Sequence, residues 1–342
     1  MPRMLPDGRR LGAHLPLGHG MVRAVDRART IGATALQVFA DNPTAWRRRT
    51  QPPREAPAFR ARLAELDIGP VAVHAAYLVN LAGPEDEFFA RSIEVLTSDL
   101  LAAPTFAARY VNVHIGSHRG SGVEAGIARL ADGLAAVLAQ ADAGSEGDGV
   151  AREPRAMIVL ENSPGSGFGI GTDVTELAAI CAAVAARGIP RERVGFCLDA
   201  AHAWAAGFDL SLPEVTDALL ADFDARIGLD RLVMVHLNDS KSEMGSRLDR
   251  HEHLGAGRIG ATGLRHLLTH PSLAHVTYYL ETPGMDDGYD AINVARAHQI
   301  AAGEPLAELP AGADNVTSDR SRTGPPTDDP EPTVAPETGG PA

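Results

Sequence analysis

The chain of 342 residues contains no run of about 18 uncharged apolar residues, so no membrane-spanning helix is expected. Its first ten residues, MPRMLPDGRR, have no apolar stretch of the kind a secretory leader needs. Cysteine is nearly absent. Cys181 and Cys197 are too few for a disulfide framework and suit a reducing compartment. These absences together lead to an expected cytoplasmic location. Aromatic residues make up only 5% of the chain. An excess of positive charge is also missing. The net charge is -13, which taken alone does not suggest a nucleic-acid binder.

What is present is apolar residues at 44%, enough for the core of one large domain or two small ones. The charge is unevenly spread. Residues 301–342 carry eight acids against two arginines, leaving -7 for the rest. The end of the chain is rich in Pro, Thr, Gly and Asp and has no apolar periodicity, the composition of a disordered segment. The expected organisation is an N-terminal extension at 1–10, a folded domain at 11–303 and a disordered acidic tail at 304–342.

Eight short apolar runs recur through the domain: 11–17, 35–40, 71–76, 110–116, 157–163, 194–202, 232–239 and 276–283. Helical patterns separate most of them. Strands alternating with helices imply a parallel sheet, and eight such units predict an α/β fold of the (β/α)8 TIM-barrel type. In 172–190, Asp173 followed by Glu176 reads as a capping box. Val174, Leu177, Cys181 and Val184 form an apolar stripe, and Gly188 with Pro190 ends the helix. Pro84 is expected in the first turn of the helix after the third strand. Residues 139–154 read as a flexible loop on the face opposite the active site.

The ends of the strands are unusually polar. The third run places His74, the fourth His114 and the fifth Glu161. The sixth supplies Asp199 and His202, the seventh His236, and the eighth Glu281. The stretch VHLNDSKSEMGSRLDRHEHLG, 235–255, adds Asp249 and His251 after His236. In a barrel these strand ends gather at one face, where active sites form. One histidine at a strand end is more often a hydrogen-bonded structural residue. A carboxylate buried after MIVL or TYYL is harder to place, because an unpaired buried charge costs several kcal/mol. Five histidines and four carboxylates on one rim lack enough arginine or lysine to pair with. Metal cations account for them more simply, and the donor set suits zinc, manganese or iron.

Over roughly residues 11–285 the chain resembles endonuclease IV, a zinc-dependent apurinic/apyrimidinic endonuclease family. The resemblance is carried by HLNDSKSEMGSRLDRHEHLGAGRIG (236–260), YLVNLAGP (77–84), VHIGSH (113–118), LENSPGSG (160–167) and DAAHAWAAGFD (199–209), in the family's order. It implies three zinc ions per chain, with manganese as an alternative occupant. His74 and His114 hold one, and Glu161 bridges it to a second. Asp199, His236 and Glu281 complete the second; His202, Asp249 and His251 hold the third. Glu161 and Glu281 are the residues it assigns to catalysis. The implied reaction is attack by a metal-bridging hydroxide on the phosphodiester 5′ to an abasic site. It leaves a 3′-hydroxyl and a 5′-deoxyribose phosphate, and the same site trims blocked 3′ ends. Three zinc ions would also bring the body from -7 to about -1, which weakens the charge objection to DNA.

The same resemblance implies double-stranded DNA as partner, no membrane, and action as a monomer. Asn42, Trp46 and Arg47, in the loop after the second strand, and Tyr77 are the expected DNA contacts; Arg48 and Arg49 share that loop. His14 is expected to orient a ligand rather than bind. His118 and His253 lie near ligands in sequence and have no assigned role. The chain departs from the family pattern at Ala75-Ala76, Ala200-Ala201 and Ile115, which puts support of the neighbouring ligands in question. Two rival readings remain: a sugar isomerase or epimerase on a xylose-isomerase-like barrel, and a DNA-damage binder without turnover. His202, Asp249 and His251 speak against the first, and the complete ligand set against the second.

Overall fold

The structure, a computed structural model, describes residues 5–144, 155–284, 287–313 and 316. Eight parallel strands close into a barrel: β1 (Leu11–His14), β2 (Ala35–Phe39), β3 (Val71–His74), β4 (Ala108–His114), β5 (Met157–Glu161), β6 (Val194–Asp199), β7 (Leu232–His236) and β8 (Thr277–Leu280). They neighbour one another in chain order, and β1 pairs with β8 to complete the ring. The TIM barrel expected from the alternation is the fold observed. All eight apolar runs contain a barrel strand, because strands buried on both faces read as continuous apolar runs.

Nine α-helices are found among the described residues: α1 (Met21–Ile31), α2 (Ala56–Leu66), α3 (Asp86–Ala102), α4 (Val123–Gly144), α5 (Val174–Ala186), α6 (Ala200–Ala206), α7 (Pro213–Arg226), α8 (Gly260–Thr269) and α9 (Tyr289–Ala302). None is long and apolar enough to cross a membrane. Some local expectations shift. Pro84 precedes α3, whose cap is Glu85, so it stands outside the first turn. Asp173 accepts from Glu176 N at 2.8 Å as expected, but the Glu176 carboxylate reaches back to Gly171 N and Thr172 N, not to the cap. Ile180 fills the fully buried place in the α5 stripe, while Cys181 is half-buried against Arg231. Residues 139–144 extend α4, and the remainder of that expected loop lies outside the described residues.

The interior of the barrel explains where the site can be. Side chains on a strand alternate in direction, so every second residue faces inward. A floor of Ala35, Ala72, Tyr110, Val159, Cys197, Met234 and Tyr279 plugs the barrel. Tyr279 needs room: a Cβ on Gly12 would lie 2.7 Å from its ring, so glycine is required there. The Tyr279 hydroxyl is satisfied by Pro70 O at 3.0 Å. Two residues further along each strand, the inward side chains turn polar. Gln37, His74, Asn112, Glu161, Asp199, His236 and Glu281 stand above that floor.

Both ends of the described chain pack on the barrel. Buried Arg9 donates to Leu268 O at 2.6 Å and His270 O at 2.9 Å. Residues 304–313, expected to begin the tail, lie along α9, with Ala313 buried. The chain from 317 onward lies outside the described residues.

Candidate metal centre

Six strands each deliver one ligand candidate at their C-terminal ends. β3 supplies His74, β4 His114, β5 Glu161, β6 Asp199, β7 His236, and Glu281 directly follows β8. The other three come from elements that fold over this rim. His202 sits in the first turn of α6, where Asp199 accepts its backbone N–H at 2.8 Å. His251 is in a two-stranded hairpin formed by Asp239–Ser240 and His251–Glu252. The excursion between those strands lies on α6, with Gly245 N on Trp204 O at 3.1 Å and Arg247 N on Ala205 O at 2.9 Å. That contact brings Asp249 to His202.

The nine residues meet in contiguous groups. His74, His114 and Glu161 form one, and Glu161, Asp199, His236 and Glu281 another; Asp199 also joins His202 and His251. Ligand atoms in each group lie within 4.8 Å of one another. Asp249 spans His202 Nε2 at 3.3 Å and His251 Nε2 at 2.9 Å. Glu161 touches the first two groups, as a bridging carboxylate must. Asp199 Oδ2 is 3.7 Å from His236 Nδ1 and 3.8 Å from His251 Nε2, so it reaches the second and third.

Ring orientation tests whether the residues fit a metal. His74 Nδ1 donates to Ala75 O at 2.7 Å, His202 Nδ1 to Asn162 O at 2.9 Å, and His251 Nδ1 to Glu281 O at 2.8 Å. A proton on Nδ1 leaves the lone pair on Nε2, directed into the site. His236 is turned the other way: Nε2 donates to Gln37 Oε1 at 3.0 Å and Nδ1 faces the acids. His74 Nε2, His202 Nε2, His236 Nδ1 and Glu161 Oε1 are buried and make no hydrogen bond. Buried polar atoms are rarely left so. The donor set therefore fits a metal.

The protonation pattern agrees. Burial alone would raise the Glu161 carboxyl, but His236 and His114 hold it well below the usual carboxylate range. Burial alone would lower His202, yet Asp199 and Asp249 push it up to about 10. His236 is likewise driven well above its ordinary value, against burial, by Cys197, Glu281 and Glu161. Protons on these rings supply the positive charge that the carboxylates demand.

A second cluster makes a useful contrast. On α7 and α8, His266 Nε2 and His270 Nε2 lie 2.6 and 3.2 Å from Asp217 Oδ1. His270 Nδ1 accepts the Ser272 N–H at 3.3 Å, so its proton sits on Nε2 and no lone pair is offered. This cluster is a surface hydrogen-bonded pair of histidines on one carboxylate, unlike the rim.

Several supporting residues escape a reading confined to strand ends. Gln37 Nε2 donates to Glu281 Oε1 at 2.8 Å, Asn112 Nδ2 to Glu161 Oε2 at 2.6 Å, and Asn238 Nδ2 to Asp199 Oδ2 at 2.7 Å. Asn162 Oδ1 accepts Asp199 N at 2.6 Å. Asp239 accepts five backbone N–H groups, from Ser240, Gly255, Gly257, Ile259 and Gly260. It is the hub that folds 236–260. The signal for Gln37 and Asn112 was a lone amide inside an apolar strand.

Among the other expected residues, His14 stands beside the site, its Nδ1 3.2 Å from Glu281 Oε1. Tyr77 is half-buried, its ring 5.8 Å from His74 and 6.2 Å from His114. Arg47 is exposed. Arg48 donates to Asn42 O at 3.0 Å, and the Asn42 side chain accepts from Thr44 N, so both also shape their own loop. Trp46 packs on Phe88 at 6.0 Å, with Arg91 over its ring. His118 Nδ1 accepts from Gly120 N and Gly122 N, a turn-forming role. His253 is buried against Tyr289. Ala75, Ala76, Ala200, Ala201 and Ile115 are all buried, and the side-chain amides of Gln37, Asn112, Asn162 and Asn238 brace the ligands beside them.

The xylose isomerase-like TIM barrel family matches residues 25–303. A relative from Methanoculleus marisnigri, named probable endonuclease 4, is 39% identical over 291 residues, covering 85% of this chain and 98% of the relative. The chain belongs to the endonuclease IV family. Another probable endonuclease 4, from Halothermothrix orenii, is 36% identical, over 84% of this chain and 99% of its own. The crystal structure of endonuclease IV from Thermus thermophilus superposes with a TM-score of 0.72 at 34% identity, covering 86% of this chain and 99% of that one. A D-tagatose 3-epimerase-like protein shares the fold at TM-score 0.60 and 15% identity. Membership in the endonuclease IV family makes the chain an endonuclease by descent, and the rim of nine ligand candidates is where that family's chemistry has its ligands to work with.

Proposed function

We propose that the chain hydrolyses the phosphodiester 5′ to abasic sites in double-stranded DNA and trims blocked 3′ ends, using three zinc ions. The observation that carries this reading is the partition of nine rim residues into contiguous groups, with ring lone pairs turned inward by backbone carbonyls and Gln37. His74 and His114 would hold one ion, and Glu161 would link it to a second held by Asp199, His236 and Glu281. His202, Asp249 and His251 would hold a third. Bound zinc supplies Lewis acidity toward a phosphate and lowers the pKa of water.

The protein's own contribution is positioning. Asn112, Asn238 and Gln37 each donate to one carboxylate oxygen of Glu161, Asp199 or Glu281, which fixes the direction of the other. The plug beneath keeps water from approaching except through the open face. Tyr77, between the loop of Arg47 and the site, is placed to meet the lesion, and arginines of the rim loops to meet phosphates. The chain has a single lysine, Lys241, and it pairs with Glu252 at 3.5 Å in the hairpin. A sugar-isomerase reading that relies on a lysine at the site has no support here.

The deciding experiment is elemental analysis of protein purified without added metal, with incision of an abasic-site duplex on the same sample. About three zinc per chain and cleavage 5′ to the lesion supports the reading. One ion or none, with no cleavage after zinc is restored, overturns it.

A further inference from the structure

The family match ends at residue 303, yet the chain continues, and the direction it takes is informative. Helix α9 begins on the catalytic side of the barrel and ends at Ala302, where Gly303 lies against Arg265 midway along α8. A chain leaving there would hang away from the site. Instead residues 304–313 turn back alongside α9. Ala307 N donates to Gln299 Oε1 at 3.3 Å, and Arg296 donates to both Leu254 O and Ala307 O. Leu306 packs on Gly255, where a side chain would collide with it. Ala313 is buried, and its carbonyl lies 3.3 Å from His253 Nε2. Val316 rests against Gly284, three residues beyond Glu281. His253 is two residues beyond His251. The strap thus carries the chain back to the rim of the metal centre.

Beyond the strap the sequence is acidic. Residues 314–342 hold Asp314, Asp319, Asp328, Asp329, Glu331 and Glu337 against Arg320 and Arg322. A random coil as long as residues 317–342 would span about 30 Å on average, comparable with the width of a barrel mouth. The rim loops expose Arg47, Arg247 and Arg250. A tether this short holds its charges near the rim at an effective concentration on the order of millimolar.

We propose that the strap at 304–313 delivers the acidic C-terminal segment to the DNA-binding face, where it occupies the basic rim in competition with DNA phosphates. This rests on the proposed DNA activity. The segment weakens binding wherever the substrate offers only backbone charge, and a lesion that also engages the metal centre displaces it. Discrimination against undamaged duplex is the result.

The test compares the full chain with a full-length variant whose six carboxylates are amidated: Asp314→Asn, Asp319→Asn, Asp328→Asn, Asp329→Asn, Glu331→Gln and Glu337→Gln. Binding to undamaged and abasic duplexes is followed by fluorescence anisotropy. At about 50 mM salt the variant is expected to bind undamaged duplex about fivefold tighter, with the difference gone near ~0.5 M. Equal binding at low salt overturns the proposal. Leu306→Ser, which loosens the strap, is expected to show part of the same gain. If it binds as the wild type while the amidated variant binds tighter, the segment acts by overall charge and the strap has no part. Incision of the abasic duplex, measured on the same samples, separates the two readings. Intact incision with equal binding removes only this inference; absent incision and absent binding remove the DNA reading and this inference with it.

Discussion

Gln37 on β2 and His236 on β7 face each other across the barrel, with Gln37 Oε1 3.0 Å from His236 Nε2. That one contact decides which nitrogen of His236 points at Glu161, Asp199 and Glu281. Because Gln37 Nε2 also holds Glu281, a single amide sets two ligands. Gln37→Leu keeps the volume and removes both bonds. It is expected to weaken metal binding by about 10- to 100-fold, measured by competition with a chromogenic chelator. An unchanged affinity with a native circular-dichroism spectrum would show that packing alone orients His236.

Asp239→Asn is expected to damage the site without touching a ligand. Asp239 Oδ2 accepts from Gly255 N at 2.9 Å and Gly257 N at 3.0 Å. In the asparagine variant one of the two oxygens becomes an amino group, which would face N–H donors on either side. The expected cost is about 3 kcal/mol, together with loss of one metal ion per chain, because the hairpin places Asp249 and His251. Elemental analysis and thermal unfolding check both parts. Full metal content in a stable protein would contradict this role.

Metal uptake should release protons. Against the effect of burial, Asp199 and Asp249 hold a proton on His202 up to about pH 10 in the metal-free site, and His236 is also pushed well above its ordinary value. At neutral pH an incoming cation must displace those protons. Apparent affinity therefore rises with pH throughout the range below about 10 and falls on acidification. Calorimetric titration in buffers of different ionisation enthalpy is expected to report at least about one proton released per chain. A heat independent of the buffer would show that both rings are already neutral.

Asp99, on α3, is buried away from the metal centre, with Oδ2 making no hydrogen bond. Burial pushes its carboxyl up to about 6, which Arg48 and the Ala76 N–H only partly offset. The folded value exceeds the unfolded one. Its favourable contribution is therefore complete below about pH 4 and is lost as pH rises through 6. Asp99→Asn, whose oxygen can still accept from Ala76, is expected to gain up to about 3 kcal/mol at about pH 7.5 and almost nothing at about pH 4. Denaturant unfolding of chelator-treated protein at the two pH values is the check. An equal change at both would assign the effect to packing.

The barrel was readable because each buried parallel strand is a continuous apolar run, and the ligands because their charges interrupt such runs at the end. His74, Glu161 and Glu281 are the clearest cases. Gln37 and Asn112 obey the same alternation, two residues beyond Ala35 and Tyr110, but neutral amides in mid-strand do not look costly until the inward face is known. Asp239 was hidden by its neighbours: beside so many candidate ligands, its role as a backbone acceptor shows only in three dimensions. The return of the chain along α9 depends on Arg296 and Leu306, whose spacing carries no periodic signal.

The ligands of the rim differ in one respect that geometry alone does not express. The His114 side chain is 35% exposed and that of Asp249 28%, whereas those of Glu161, Asp199 and His236 are sealed. Below them the barrel is closed by Tyr110, Met234 and Tyr279. Traffic can pass only through the open face, so exchange of ions is sequential. Those touching His114 and Asp249 leave first under a chelator, and the one enclosed by Glu161, Asp199, His236 and Glu281 leaves last and more slowly. Partly loaded protein is then a defined kinetic species rather than a random mixture, and its history of loading and stripping is written into which positions are filled.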